Sequence, residues 1–193
     1  MNHMEFNQST VGLILAAGRS ERMGRPKLNL PWRDTTVLGS VIRNISAGGI
    51  NRVFIVVNPL RRPDLPPNLP ELEINWIDNE SAETNEMLVS IQTGLKALPT
   101  DVETVFVFLG DQPAIQSWVV TKMAEEVSQS KSLLIFPSYR MRRGHPWVVR
   151  HALWSEIQKL EKNDTVRTFI RAYEQEIQYV NFDLDLPADM DTP

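Results

Sequence analysis

The strongest constraint on this chain is an alternation of two patterns. Short apolar runs are separated by segments whose apolar residues recur at helical spacing. Val11 to Ala16, Arg52 to Val57 ("RVFIVV"), Thr104 to Leu109 ("TVFVFL"), Ser132 to Phe136 and Ile177 to Phe182 read as strands. The first is apolar throughout, as expected for a strand buried on both faces. Glu73 to Ile77 alternates like a strand, and Trp147 to Val149 reads as a shorter one. Helical stripes run over Val37 to Ile45, Met87 to Leu98, Gln116 to Val127, His151 to Leu160 and Thr165 to Tyr173. Thr35 or Thr36 can cap the first helix, and Gly48 and Gly49 stop it. The order of elements predicts an α/β fold, a parallel or mostly parallel sheet with helices on both faces. Five prolines between Pro59 and Pro70 forbid regular structure there. That stretch is expected to be a surface loop and not a linker, because the pattern resumes at once. A single domain over residues 11–193 is expected. Residues 1–10 lack the apolar middle of a signal peptide and read as a disordered terminus or an expression remnant.

In sheets of this kind ligands bind beyond the carboxyl ends of the strands. The first strand runs into "LAAGRSERMGRPK", where Arg19, Arg22, Arg25 and Lys27 crowd into a loop bounded by Gly18 and punctuated by Gly24. Small residues let backbone N–H groups approach a ligand closely, and the cations complete an anion cradle. The obvious anion is a nucleotide triphosphate. The spacing is not that of a Walker loop, since Gly18 and Gly24 have five residues between them and Lys27 precedes neither Ser nor Thr. No G-x-G-x-x-G occurs here either. The cradle is a local feature, because the chain carries a net charge of -4, which argues against general nucleic-acid binding. The absence of cysteine excludes disulfides, thiolate catalysis and cysteine metal sites, and three scattered histidines do not suggest a zinc site. No apolar run approaches the ~20 residues that span a bilayer. A cytoplasmic enzyme or binding protein is the expectation.

"LAAGRSERMGRPK" resembles the signature of the MobA-like nucleotidyltransferases, and five further stretches resemble that family in order: "LNLP", "EMLVSIQTGLKAL", "FLGDQPAI", "RRGHPWVV" and "DMDTP". The fit is nearest to the molybdenum cofactor cytidylyltransferase branch. The resemblance implies a three-layer α/β/α Rossmann-like domain of the nucleotide-diphospho-sugar transferase type, with a mostly parallel mixed sheet. It implies transfer of CMP from CTP to a phosphorylated acceptor of the molybdopterin type, with pyrophosphate released. It also implies a pterin phosphate as acceptor and a target molybdoenzyme as a partner. On the matching positions, Leu15, Ala16, Ala17, Gly18, Arg19, Ser20, Lys27, Ser90 and Asp111 would bind the nucleotide. Lys27 and Arg22 would neutralise the triphosphate and the leaving pyrophosphate. Asp111, with Asp189 or Asp191, would hold Mg²⁺. Arg143, Gly144, His145 and Pro146 would line the acceptor side. Ala17 stands where guanylyl-transferring relatives commonly have a second glycine, and its methyl suits a one-ring base. Such transfers need positioning and charge neutralisation more than covalent chemistry.

The chain departs from the family pattern at three places. Glu86 replaces a usual glycine and would crowd or repel part of the nucleotide. The segment Asn163 to Arg167, "NDTVR", is a shortened form of a longer motif. The chain ends at Pro193 where relatives usually continue, which reads as truncation. A different nucleotide or acceptor, such as GTP or a sugar phosphate, is one alternative. A nucleotide-binding maturation factor without turnover is the other. Arg140 and Arg150 read as ordinary surface residues, and Trp118 and Trp154 as core.

Overall fold

A computed structural model describes residues 8–18, 26–81, 87–161 and 163–189. Its centre is a mixed sheet in the order β10-β7-β9-β6-β1-β4-β5. The central strands are β1 (Thr10–Leu15), β4 (Arg52–Val57), β5 (Glu73–Asp78) and β6 (Thr104–Leu109), all mutually parallel. On the other flank β9 (Trp147–Arg150) runs antiparallel to both β6 and β7 (Leu134–Tyr139), and β10 (Ile177–Phe182) pairs parallel with β7. The short strand β8 (Arg142–Arg143) folds back on β7 as a hairpin. A separate two-stranded ribbon joins β2 (Pro31–Trp32) to β3 (Thr35–Thr36).

Helices cover both faces. The helices α1 (Val37–Ala47) and α3 (Ser117–Gln129) bury Leu38, Ile42, Val120 and Met123 against Ile14, Val53, Ile55 and Phe108 of the sheet. The opposite face packs α2 (Met87–Ala97), α4 (Trp154–Gln158) and α5 (Val166–Ala172) on Leu13, Val56, Val107 and Phe136. Alternate residues of one strand therefore feed two cores, which is why the central strands read as unbroken apolar runs. Thr36 caps α1, its Oγ1 accepting from the Gly39 N–H at 3.1 Å. The three-layer arrangement agrees with the sequence expectation.

Three local differences have physical reasons. The strand expected to stop at Phe136 continues to Tyr139 through Pro137. Proline cannot donate, but the Pro137 carbonyl accepts from the Gly144 N–H at 3.3 Å and stays in the sheet. The helical stretch after β9 opens as a tight turn, His151–Leu153, before α4 begins. Trp118 is not core: it is 46% exposed, because the inward positions of α3 are Val119, Val120, Met123 and Val127. Trp154, by contrast, is buried.

Chain order places the strands on either side of β1. The path runs from β1 to β4 and β5 on one side, then to β6 on the other. The carboxyl ends of β1 and β6 thus flank the switch in strand order, where such sheets leave a crevice.

Gly48 closes α1 against α3. A Cβ added there would lie 2.6 Å from Val120 Cγ1 and 3.1 Å from the Ser117 carbonyl oxygen. Its φ is -82°, so backbone strain is not the issue. Overpacking of this kind costs about 1–3 kcal/mol. Gly48→Ala is expected to lower the melting temperature by several degrees in a thermal unfolding scan.

Candidate active site

Two loops leave the sheet side by side at the switch point. The Gly110 N–H donates to the Leu15 carbonyl at 2.9 Å, and the Ala16 N–H to the Val56 carbonyl at 2.8 Å. A side chain on Gly110 would press on Leu15 O at 3.1 Å and on the Ala16 methyl at 3.4 Å. Only glycine lets the two loops come this close. A Cβ on Gly18 would meet no described atom within 4 Å, so the space beyond Ala17 is open. Ala16 and Ala17 are themselves nearly buried, and the Ala17 methyl packs in the α2-side core.

The two charged residues expected from each loop meet here. Lys27 Nζ lies 3.0 Å from Asp111 Oδ2, with only 16% and 31% of the side chains exposed. Lys27 opens a tight turn, Lys27–Asn29, that leads into the β2–β3 ribbon. Leu28 packs the turn onto the α1-side core. Asn29 ties it to the proline-rich loop: its Nδ2 donates to Asp64 Oδ2, and its Oδ1 accepts from the Asp64 N–H, both at 3.1 Å. Arg19, Ser20 and Arg22 lie outside the described residues, as do Glu86 and Asp191.

The next residue was missed in the sequence as a site residue, although it stands in the "FLGDQPAI" motif. Gln112 Nε2 donates to Asp189 Oδ1 at 2.6 Å and so draws the last segment onto the β6 loop. An uncharged amide gives no signal by composition, and its partner is remote in sequence. Asp111 and Asp189 are thus joined through adjacent residues of one loop. Among the described residues no cluster of three or more His, Cys, Asp or Glu closes around a metal. Two carboxylates, with water and phosphate oxygens completing the shell, are nonetheless the donor set that Mg²⁺ takes. The ammonium of Lys27 already marks Asp111 as a place where positive charge is held. The residues present therefore fit a hydrated divalent cation.

His145 stands next to this pair. Val107 of β6 pairs with Trp147 of β9, which puts His145 beside Leu109, at the same sheet edge as Asp111. Its Nδ1 lies 3.1 Å from the Val107 carbonyl. A carbonyl only accepts, so Nδ1 carries the proton and Nε2 keeps its lone pair in the neutral ring. Burial pushes the imidazole pKa below its ordinary value, opposed by the Val107 carbonyl and by the charges of Asp189 and Asp111. Tyr139 donates its O–H to the His145 carbonyl at 2.8 Å, and burial holds that phenol well above its usual pKa. The peptide bond from His145 to Pro146 is cis, and Pro146 is buried. Gly144 lies against the Tyr139 ring, where a Cβ would come within 2.7 Å of Cε2.

The acceptor-side arginines differ from a free basic patch. Arg143 donates to Glu174 Oε1 and to Tyr179 Oη, each at 2.6 Å. Arg140 pairs with Asp183 and Asp185. Arg150 clamps the carbonyls of Val127, Ser130 and Ser132 at the opposite end of the strands, a structural role. A phosphate arriving at Arg140 or Arg143 would have to displace a carboxylate. Ser90 is also committed inside the protein: its Oγ accepts from Asn79 Nδ2 at 3.2 Å, and Asn79 is 1% exposed. Both sit where β5 hands over to α2.

This arrangement sets a lysine and a carboxylate from two loops at one switch point of an α/β domain. Residues 12–177 match the MobA-like NTP transferase domain, and the chain belongs to that family. It is 28% identical over 174 residues to nicotine blue oxidoreductase of Paenarthrobacter nicotinovorans, covering 83% of this chain and 80% of that protein. It is 26% identical over 182 residues to molybdenum cofactor cytidylyltransferase of Escherichia coli K12, covering 94% and 90%. The structure of Rv0371c from Mycobacterium tuberculosis in complex with manganese superposes with a TM-score of 0.72 at 21% identity, over 95% of this chain and 93% of that one. That likeness is one of fold. No helix among the described residues is long and apolar enough to cross a membrane.

Two measurements follow from the geometry. Lys27→Ala is expected to weaken nucleotide binding at least tenfold by calorimetry, the loss of one charged hydrogen bond of roughly 1.5–3 kcal/mol. His145 is kept neutral in the fold and accepts a proton more readily when unfolded. Its contribution to stability is therefore complete above the unfolded pKa of 6.5 and is lost as pH falls from there through the lower folded value. Denaturant unfolding between pH 7 and 5 should show stability falling on acidification, and His145→Asn should flatten that slope by up to one proton.

Proposed function

We propose that this chain is a CTP-dependent nucleotidyltransferase. In this reading it moves CMP to a phosphorylated acceptor of the molybdopterin type and releases pyrophosphate. The observation that carries the reading is the Lys27–Asp111 pair at the switch point. It joins a phosphate-binding cation to a cation-binding carboxylate at the place where the fold receives a nucleotide. An acceptor phosphate oxygen attacks the α-phosphorus of CTP. The new P–O bond forms as the bond to the β-phosphate bridge breaks, and pyrophosphate leaves with the electron pair. The attacking phosphate is already ionised, so no strong general base is required. Lys27, with Arg19 and Arg22 from the same loop, neutralises the triphosphate and the departing pyrophosphate. Asp111 and Asp189, with Asp191 as a further candidate, would hold Mg²⁺, which supplies charge neutralisation at the phosphates when bound.

The choice of CTP rests on the cytidylyltransferase relative; the Ala17 methyl, expected from the sequence to meet the base, packs in the α2-side core instead. The acceptor would lie along Gly144, His145 and Pro146, with Arg143 freed from Glu174 to meet its phosphate. The product would then pass to a target molybdoenzyme in the cytoplasm.

Pyrophosphate release over four nucleotides and several acceptors tests the reading. CTP with molybdopterin cofactor is expected to give the highest kcat/KM, with CTP favoured over GTP. Equal or better use of GTP would contradict the cytidylyl assignment. Absence of release with every acceptor would contradict the transferase reading.

A further inference from the structure

Gln112 carries a polar atom for which the described residues supply no partner. The residue is 5% exposed, and its Oε1 is buried with no hydrogen bond among the described residues. The orientation of the amide is fixed by its other end. Nε2 lies 2.6 Å from Asp189 Oδ1, and an ionised carboxylate only accepts. Turning the amide over would set two oxygens against each other at that distance. Oε1 is therefore the atom left over, and it is an acceptor.

A buried acceptor without a donor costs about 1–3 kcal/mol. A methionine or leucine would fill the same space without that cost. The other unpartnered buried side-chain atoms among the described residues are Thr35 Oγ1, at the ribbon before α1, and Trp154 Nε1, on α4. Gln112 alone of these directly follows Asp111 and bonds to Asp189. What Oε1 lacks is a donor, which excludes a bare phosphate oxygen. Water bound to a divalent cation is a strong donor, and Mg²⁺ sheds its water reluctantly and keeps several molecules in its sites.

We propose that Gln112 is an outer-sphere ligand of the nucleotide's divalent cation. Its Nε2 holds Asp189 in place, and its Oε1 accepts an O–H hydrogen bond from a water carried by the ion. This rests on the transferase reading, in which Asp111 and Asp189 hold that ion. Gln112 does not touch the metal. It orients one carboxylate ligand and one water, as partners in the outer shell commonly do.

Mn²⁺ serves as the probe, titrated by electron paramagnetic resonance with a non-hydrolysable CTP analogue present. Gln112→Met is expected to weaken Mn²⁺ binding about tenfold, and Gln112→Glu, which keeps an oxygen acceptor, to bind more tightly than the Met variant. Thermal unfolding establishes that each variant folds, with Gln112→Leu as the substitute if the Met variant does not. The decisive comparison is made in the Asp189→Ala background, as a double-mutant cycle. There Gln112→Met is expected to cause a further loss of Mn²⁺ affinity, because the water contact does not depend on Asp189. No further loss would mean that Gln112 acts only through Asp189, and an unchanged affinity in both backgrounds would remove it from the site; either overturns the proposal. Asp111→Asn separates the two levels. If it leaves Mn²⁺ binding intact, the metal reading itself fails, whatever Gln112 does.

Discussion

The ion pair between Lys27 and Asp111 is the interaction on which the rest of the site depends. It joins the loop after β1 to the loop after β6, the two that flank the change in strand order. Without a ligand, a carboxylate beside a cationic loop is balanced by an ammonium. In the proposed function each partner has a stronger claimant: the phosphates for Lys27 and the metal for Asp111. A pair of this kind would keep both groups oriented while leaving both exchangeable. Its partial burial matters, since screening by water would otherwise leave little attraction between them.

The scaffold explains why the pair can form. Parallel strands β1 and β6 end together, and Gly110 removes the one side chain that would force their loops apart. Lys27 arrives ten residues beyond the Ala17 end of the first loop, on a turn held by Leu28 and by the two hydrogen bonds between Asn29 and Asp64. The proline-rich loop is thus a strut for the turn that carries Lys27. Its stiffness, a consequence of fixed proline φ angles, reduces the freedom of the turn that carries Lys27. On the far side of the crevice, His145 and Tyr139 form a less polar wall beneath Asp189 and Asp111, with the imidazole kept neutral by burial.

The architecture was legible because both faces of the central strands are buried, so their residue types announce them. "TVFVFL" and "RVFIVV" could hardly be anything else, and the cap at Thr36 follows from a hydroxyl placed before an apolar stripe. Lys27 and Asp111 stand out in the sequence through the family resemblance of the two stretches that carry them, and the structure brings the two side chains together. What the sequence hid is pairing between remote residues. Gln112 with Asp189, Asn29 with Asp64 and Arg143 with Glu174 are 77, 35 and 31 residues apart, and nothing local distinguishes them from solvated polar side chains. Arg143 is instructive: expected to line the acceptor side, it is held by Glu174 from the turn before β10 and by the Tyr179 hydroxyl on β10, the edge strand. Trp118 was misjudged because large aromatic residues are usually inward, and only the phase of α3 shows it facing out.

In the function proposed here, Asp111 exchanges Lys27 for a divalent cation when the nucleotide binds. A crystal structure of the protein with Mn²⁺ and a non-hydrolysable CTP analogue measures this directly through the anomalous signal of the metal. The expected result is a manganese peak at coordination distance from the Asp111 carboxylate, with Lys27 moved from Asp111 to a phosphate oxygen. A complex in which the Lys27–Asp111 pair persists, with the manganese peak elsewhere, would contradict it.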